Sequence, residues 1–222
     1  MTRLIYTTIA LFLLLMPARA HYLWIESESA ADSRVYFGEF NEGVREKAGG
    51  RLDERDAIEL RLARADGATD PLPFTKRTDH FTAKAPQEGW LLVQDLTSEV
   101  KDWTASDIGI VKPMFYARAA VAGKLTAAKP ALTLDIIPDV NNPRNLRVWF
   151  KGQPLAKAKV LVHAPNEWSK ELEANANGEV AIATPWPGRY VVAVIHKERE
   201  RGEFRGKAFE AVRHRTTFSQ VY

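Results

Sequence analysis

The stretch Leu132-Thr133-Leu134-Asp135-Ile136, past the middle of the 222-residue chain, alternates apolar and polar side chains. A period of two is typical of a β-strand that buries one face. After the turn residues Asn141-Asn142-Pro143, the stretch Leu146-Arg147-Val148-Trp149-Phe150 follows a similar alternation. Strand, turn and strand at this spacing predict an all-β protein.

Strand signals continue on the C-terminal side of this stretch at intervals of roughly ten residues, the spacing expected of a β-sandwich. Turn signals such as Asn177-Gly178 and Pro187-Gly188 separate them. The candidate strands are 132–137, 145–150, 157–163, 179–183, 188–196 and 213–219. We therefore predict an immunoglobulin-like or transthyretin-like sandwich over residues 131–222.

The N-terminal half is also rich in strand signals but less regular. Arg34–Phe40 is short and aromatic, and Ala57–Leu62 alternates with period two. Residues 97–112 fit either a short helix or an irregular loop. Gly123–Pro130 reads as a linker. These patterns predict a β-rich domain over residues 21–124, followed by the sandwich.

The first 20 residues have the order of a secretory signal peptide. Arg3 precedes an apolar run from Leu4 to Met16, and Ala18-Arg19-Ala20 has the small-x-small form of a cleavage site. The run of about 13 residues is shorter than the roughly 20 that span a bilayer. We expect cleavage after Ala20, a mature chain that begins at His21, and a periplasmic location without a transmembrane segment.

Composition narrows the function classes. Without the two arginines of residues 1–20, 29 basic residues face 28 acidic ones, and their signs are interspersed. A nearly neutral net charge with interspersed signs does not indicate a nucleic-acid-binding surface. The chain has no cysteine, so a transition-metal site would use imidazole, carboxylate and amine ligands.

Several separate stretches resemble one known family. They are Leu134–Pro138 with Asn142-Pro143, Val148–Val160, Asn177–Val180, Pro187–Val192 ending in His196, and His21–Glu26. Together they resemble the DUF4198 family of exported bacterial proteins, related to the periplasmic part of nickel and cobalt uptake systems (the NikM-like group). The resemblance implies binding of nickel or cobalt and a membrane transporter or outer-membrane receptor as partner. It also places a functional histidine at the strand end occupied by His196.

Three histidines are the candidate metal ligands. His21 would offer both its ring and the α-amine that cleavage frees. His196 ends an apolar strand, and His214 lies in the predicted last strand, which can run beside it in a sandwich. Nitrogen-rich ligation suits nickel, cobalt, copper or zinc, and intrinsic affinity favours copper.

Other residues are weaker candidates. His80 and His163 read as loop or strand-end histidines. Glu39, Glu42 and Glu46 could gather oxygen ligands, although a charged surface loop also explains their spacing. They lack the register of a calcium loop.

The sequence has no Gly-x-Ser-x-Gly elbow, Walker loop, Gly-x-Gly-x-x-Gly or His-Glu-x-x-His motif. We therefore predict a non-enzymatic periplasmic protein that binds a divalent transition metal for uptake or delivery. Two alternatives remain open at this point. One is a copper oxidoreductase that uses an N-terminal histidine to act on a polysaccharide. The other is a structural or interaction sandwich without metal.

Overall fold

A computed structural model describes residues 21–222. The predicted signal peptide, residues 1–20, and its cleavage site lie outside the described residues. In residues 21–222 the regular elements are strands and short 3₁₀ helices, which confirms the all-β prediction. None of the helices in this part of the chain is long and apolar enough to cross a membrane.

Residues 21–222 form twenty strands. They are β1 (Tyr22–Ser29), β2 (Asp32–Glu39), β3 (Val44–Arg45), β4 (Glu59–Ala63), β5 (Thr69–Pro71), β6 (Phe74–Lys76), β7 (Phe81–Ala83), β8 (Trp90–Asp95), β9 (Lys101–Trp103), β10 (Gly109–Ala120), β11 (Leu134–Pro138), β12 (Asn145–Phe150), β13 (Gln153–Pro154), β14 (Lys159–His163), β15 (Ser169–Glu173), β16 (Glu179–Ala181), β17 (Arg189–Glu198), β18 (Gly202–Phe204), β19 (Lys207–Phe209) and β20 (Ala211–Val221). The 3₁₀ helices are Phe40–Glu42, Arg51–Arg55, Thr104–Ser106 and Val121–Gly123.

The strands stack in three layers. The central sheet has the order β15-β14-β17-β20-β10-β8-β4-β5, with β9 beside β10. One face is covered by the sheet β1-β2-β7-β6, in which β3 pairs with β2, and the other by the sheet β11-β12-β13, in which β16 pairs with β12. Strands β18 and β19 form a separate hairpin. The central sheet is therefore buried on both faces over much of its area.

Strand β8 shows why a strand of this sheet reads as a continuous apolar run. Trp90 and Leu92 belong to the hydrophobic cluster shared with β11 and β12. Leu91 and Val93 belong to the cluster shared with β1 and β2. Because successive side chains of a strand point to opposite faces, a strand covered on both sides needs apolar residues at every position.

A parallel pair joins the two halves of the chain. Residues Val111–Ala119 of β10 lie in register with Ala211–Ser219 of β20. The sequence boundary predicted at 124–131 is the crossing from the central sheet to β11. The predicted domains 21–124 and 131–222 therefore share one sheet rather than having separate sheets.

A buried ion pair ties the central sheet to the layer of β11. Asp135, with no exposed surface, accepts hydrogen bonds from Arg118 Nε at 2.8 Å and Nη2 at 2.6 Å. It also accepts the backbone N–H groups of Ala131, Leu132 and Ile136. One carboxylate thus neutralises a buried guanidinium and anchors the chain as it enters β11.

All six strands predicted in the C-terminal half are present, with shifts of a few residues at their ends. The expectation of a short helix or an irregular loop over 97–112 is wrong in two places: β9 occupies Lys101–Trp103, and β10 begins at Gly109. The apolar pattern did not indicate β10, because the charged residue Lys112 lies within it. Lys112 is buried, and its ammonium donates to the carbonyls of Leu96 at 2.8 Å and Ser98 at 2.6 Å.

Candidate metal site at His21

His21 immediately precedes β1, and only 5% of its surface is exposed. Its ring lies 5.4 Å from that of Phe37, which packs edge-on against Phe115 at 5.8 Å. Phe37 and Phe115 both belong to the cluster between β1, β2 and the central sheet. His21 therefore lies on the face of the central sheet that carries Phe115.

Each ring nitrogen of His21 meets a carboxylate. Nδ1 lies 2.9 Å from Oε1 of Glu39, yet it makes no aligned hydrogen bond. Nε2 is hydrogen-bonded to Oε1 of Glu46. Nη1 of Arg51 lies 3.2 Å from Nε2 and 3.7 Å from Oε1 of Glu46. The imidazole is thus held between two acidic side chains, with a guanidinium beside one of them.

The turn after β2 brings these two acids together. The chain leaves β2 at Glu39 and returns as β3, which pairs with the end of β2. Gly38 has φ +151°, and a Cβ there would lie 2.1 Å from the carbonyl oxygen of Val44. Because only glycine allows this approach, β3 can fold back closely enough for Glu46 to reach His21. Glu42, the third acid of the predicted oxygen set, lies exposed in the turn.

The other two predicted ligands, His196 and His214, meet elsewhere. They are direct partners on β17 and β20, their ring centroids lie 6.4 Å apart, and Phe150 packs against both rings. Burial lowers the pKa of each histidine. Both nitrogens of His214 have partners, Nδ1 with the Tyr116 hydroxyl at 3.0 Å and Nε2 with Glu198 at 3.2 Å. Binding an ion there would require breaking one of these contacts.

The central sheet separates His21 from this pair. His214 contacts Tyr116, which belongs to the cluster on the side of β11 and β12. His21 lies with Phe37 and Phe115 on the opposite side. One ion therefore cannot be ligated by His21, His196 and His214 together. This corrects the expectation from the sequence that the three histidines are ligands of one site.

The remaining histidines have partners of their own. Nδ1 of His80 lies 2.7 Å from Asp79. Nδ1 of His163 lies 2.8 Å from the Ser169 hydroxyl, and its ring stacks on Tyr22 at 5.9 Å. Across residues 21–222, His, Asp and Glu side chains alone form no group of three or more that could hold a metal ion.

Burial of His163 predicts a pH-dependent stability. Burial, reinforced by the charge of Arg215, lowers the pKa of His163 to about 4, whereas an unfolded histidine titrates near about 6.5. The unfolded state therefore binds more protons between these values, and stability falls as pH drops below about 6.5. Because of this histidine, we expect the free energy of unfolding to fall by about 3 kcal/mol as the pH drops from 7 to 4.

Urea denaturation at a series of pH values measures this effect. His163→Gln should reduce the pH dependence of the free energy of unfolding, and the part that remains includes His196 and His214, whose pKa values burial also lowers. Equal slopes for wild type and His163→Gln would show that His163 is not the titrating group.

A cavity of about 300 Å³ opens beside His21. Phe37, Phe115 and Trp103 form apolar walls, and Arg51, Arg55 and Arg213 bring guanidinium groups to it. The sequence patterns did not predict this cavity, because its lining residues come from β2, β9, β10, β20, two 3₁₀ helices and segments between elements. Only the arginine-aromatic composition of these segments could have indicated it.

Comparison with known proteins agrees with the resemblance seen in the sequence. The family described as Domain of unknown function (DUF4198) matches residues 18–198, a span that includes His21, Glu39, Glu46 and His196. A search of curated proteins finds no match. Because the matched span covers most of the chain, the protein belongs to the DUF4198 family.

Proposed function

We propose that this protein is exported to the periplasm and binds a divalent transition metal at His21 as cargo. The proposed ligands are the α-amine that cleavage after Ala20 would free, Nδ1 of the same residue, and a carboxylate oxygen of Glu39. Amine and ring nitrogen of one histidine close a chelate ring on one ion. In residues 21–222 no three His, Asp or Glu side chains form a group that could hold a metal ion, so the α-amine is proposed as the third donor beside one histidine and one glutamate.

The contact between Nε2 and Glu46 is the observation that carries the proposal. A metal-binding histidine commonly donates its other ring N–H to a carboxylate, which fixes the tautomer and the ring orientation. Nε2 of His21 meets Glu46 in this way. With the proton on Nε2, Nδ1 keeps its lone pair for an ion.

The contact between Nδ1 and Glu39 supports the same assignment. Two donors bound at about 2.0–2.2 Å and at a right angle to one ion lie about 3 Å apart. Nδ1 of His21 and Oε1 of Glu39 lie 2.9 Å apart, and Nδ1 makes no aligned hydrogen bond. Right-angle ligation by nitrogen and oxygen is the preference of nickel(II) and copper(II).

Burial favours a carrier over an enzyme that acts on a surface polymer. A copper oxidoreductase with an N-terminal histidine would need an open metal face for its polysaccharide. Only 5% of His21 is exposed. The resemblance to nickel and cobalt uptake proteins further favours nickel or cobalt as cargo, with a transporter or outer-membrane receptor as the partner in delivery.

Calorimetric titration of the chain beginning at His21 with nickel(II) and copper(II) tests this function. Glu39→Gln removes the anionic oxygen donor, so we expect at least about a tenfold loss of affinity, equivalent to about 1.4 kcal/mol. Glu59→Gln changes an exposed glutamate on β4 and should leave affinity unchanged. Absence of binding by the unaltered chain, or equal affinity of Glu39→Gln, would contradict the proposed site.

A further inference from the structure

Arg213 is a buried cation that faces the cavity beside His21. It lies on β20 with 9% of its surface exposed, and its guanidinium carbon lies 5.5 Å from the centre of the Trp103 ring. In the part of the chain that the structure describes, its side chain has neither an ion pair nor a hydrogen bond. Burial lowers its pKa, which reflects the loss of solvent around the charge.

The carboxylates near the cavity are already close to its other cations, so they do not neutralise Arg213. Arg55 donates hydrogen bonds to Asp95 and Ser98, and Arg51 lies near Glu46 and Glu54. Glu54 lines the cavity but lies 3.3 Å from Arg55.

Lys101 adds a further positive charge to the lining and, within residues 21–222, forms no ion pair with a carboxylate. A buried charge is costly unless an opposite charge accompanies it. The cavity therefore has an excess of positive charge suited to an anion.

The walls indicate what kind of anion fits. Phe37, Phe115 and Ile108 give the cavity an apolar side, while Ser98 and Ser106 add hydroxyl groups. Its volume of about 300 Å³ is at the lower end of the range for small-molecule sites. Apolar walls beside guanidinium groups favour an organic acid over a bare inorganic ion, because each part of such a ligand meets a matching surface.

We propose that this cavity binds a small organic carboxylate, with Arg213 pairing the carboxylate and the aromatic walls holding the apolar body. A guanidinium presents donors in a fork that matches a carboxylate. The site adjoins His21 but does not depend on a metal, so it stands or falls separately from the proposed metal function.

Titration with benzoate, followed by protein NMR, tests the proposal without metal, and benzamide serves as the uncharged probe of similar shape. We expect benzoate to bind at least tenfold more tightly than benzamide. Arg213→Gln should remove this preference, whereas Arg213→Lys should retain part of it. Arg205→Gln, which changes an exposed arginine paired with Glu99, should have no effect.

A second variant tests the apolar wall. Trp103→Leu should weaken benzoate and benzamide alike, and thermal denaturation of each variant checks that it is folded. Equal binding of the two probes by the unaltered protein, no detectable binding of benzoate, or an unchanged preference in folded Arg213→Gln would each overturn the proposal.

Discussion

Asp135→Ala is expected to lower the free energy of unfolding by about 3–5 kcal/mol, the usual cost of removing one partner of a buried ion pair. Arg118 would remain in the interior with its charge unbalanced, because both of its short contacts at 2.8 and 2.6 Å go to Asp135. The N–H groups of Ala131, Leu132 and Ile136 would also lose their acceptor.

Urea denaturation at pH 7 measures this loss as a lower midpoint with an unchanged slope. Asp70→Ala is the matched control, since both side chains of the ion pair Arg64–Asp70 are exposed to solvent. Exposed pairs contribute about 0–1 kcal/mol. A loss below about 1 kcal/mol for Asp135→Ala would show that this pair does not hold β11 against the central sheet.

His21→Ala is expected to lower the affinity for nickel(II) at least about a hundredfold, equivalent to about 2.7 kcal/mol. The substitution removes Nδ1 as a ligand and also removes the ring that Glu46 orients. The α-amine and Glu39 would remain, but the chelate that joins the two nitrogens would be lost. Calorimetry on chains that both begin at residue 21 compares the two affinities.

His196→Ala is the control for this experiment. It removes a histidine on the opposite face of the central sheet, so affinity should change by less than about twofold, which is about 0.4 kcal/mol. If His196→Ala abolishes binding while His21→Ala does not, the ion binds at the pair His196–His214 instead.

The strand content could be predicted from local pattern, and the layer arrangement could not. Alternation in Leu132–Ile136 and Leu146–Phe150 identified β11 and β12, because each covers the central sheet with one face. The pairing of β10 with β20 is between segments about a hundred residues apart and leaves no local periodicity. The predicted domain boundary therefore marked a crossing between layers of one structure.

The same limit applies to the candidate site. His214 and Arg215 are neighbours in β20, yet His214 contacts Tyr116 on one face and Arg215 lies 4.2 Å from the Tyr22 ring on the other. Period two predicts that their side chains diverge, but it does not say which layer covers which face. The encounter of His21 with Glu39 and Glu46 depends on the fold-back at Gly38, which is a tertiary contact.

Nickel(II) calorimetry on a chain with one extra methionine before His21 tests the proposed ligand set most directly. The extension keeps the imidazole, Glu39 and Glu46, and it converts the α-amine of His21 into an amide. We expect affinity at least about tenfold lower, or about 1.4 kcal/mol, than for the chain that begins at His21, with both termini verified by intact mass. Equal affinities of the two chains would contradict the proposal that the amino terminus of His21 is a metal ligand.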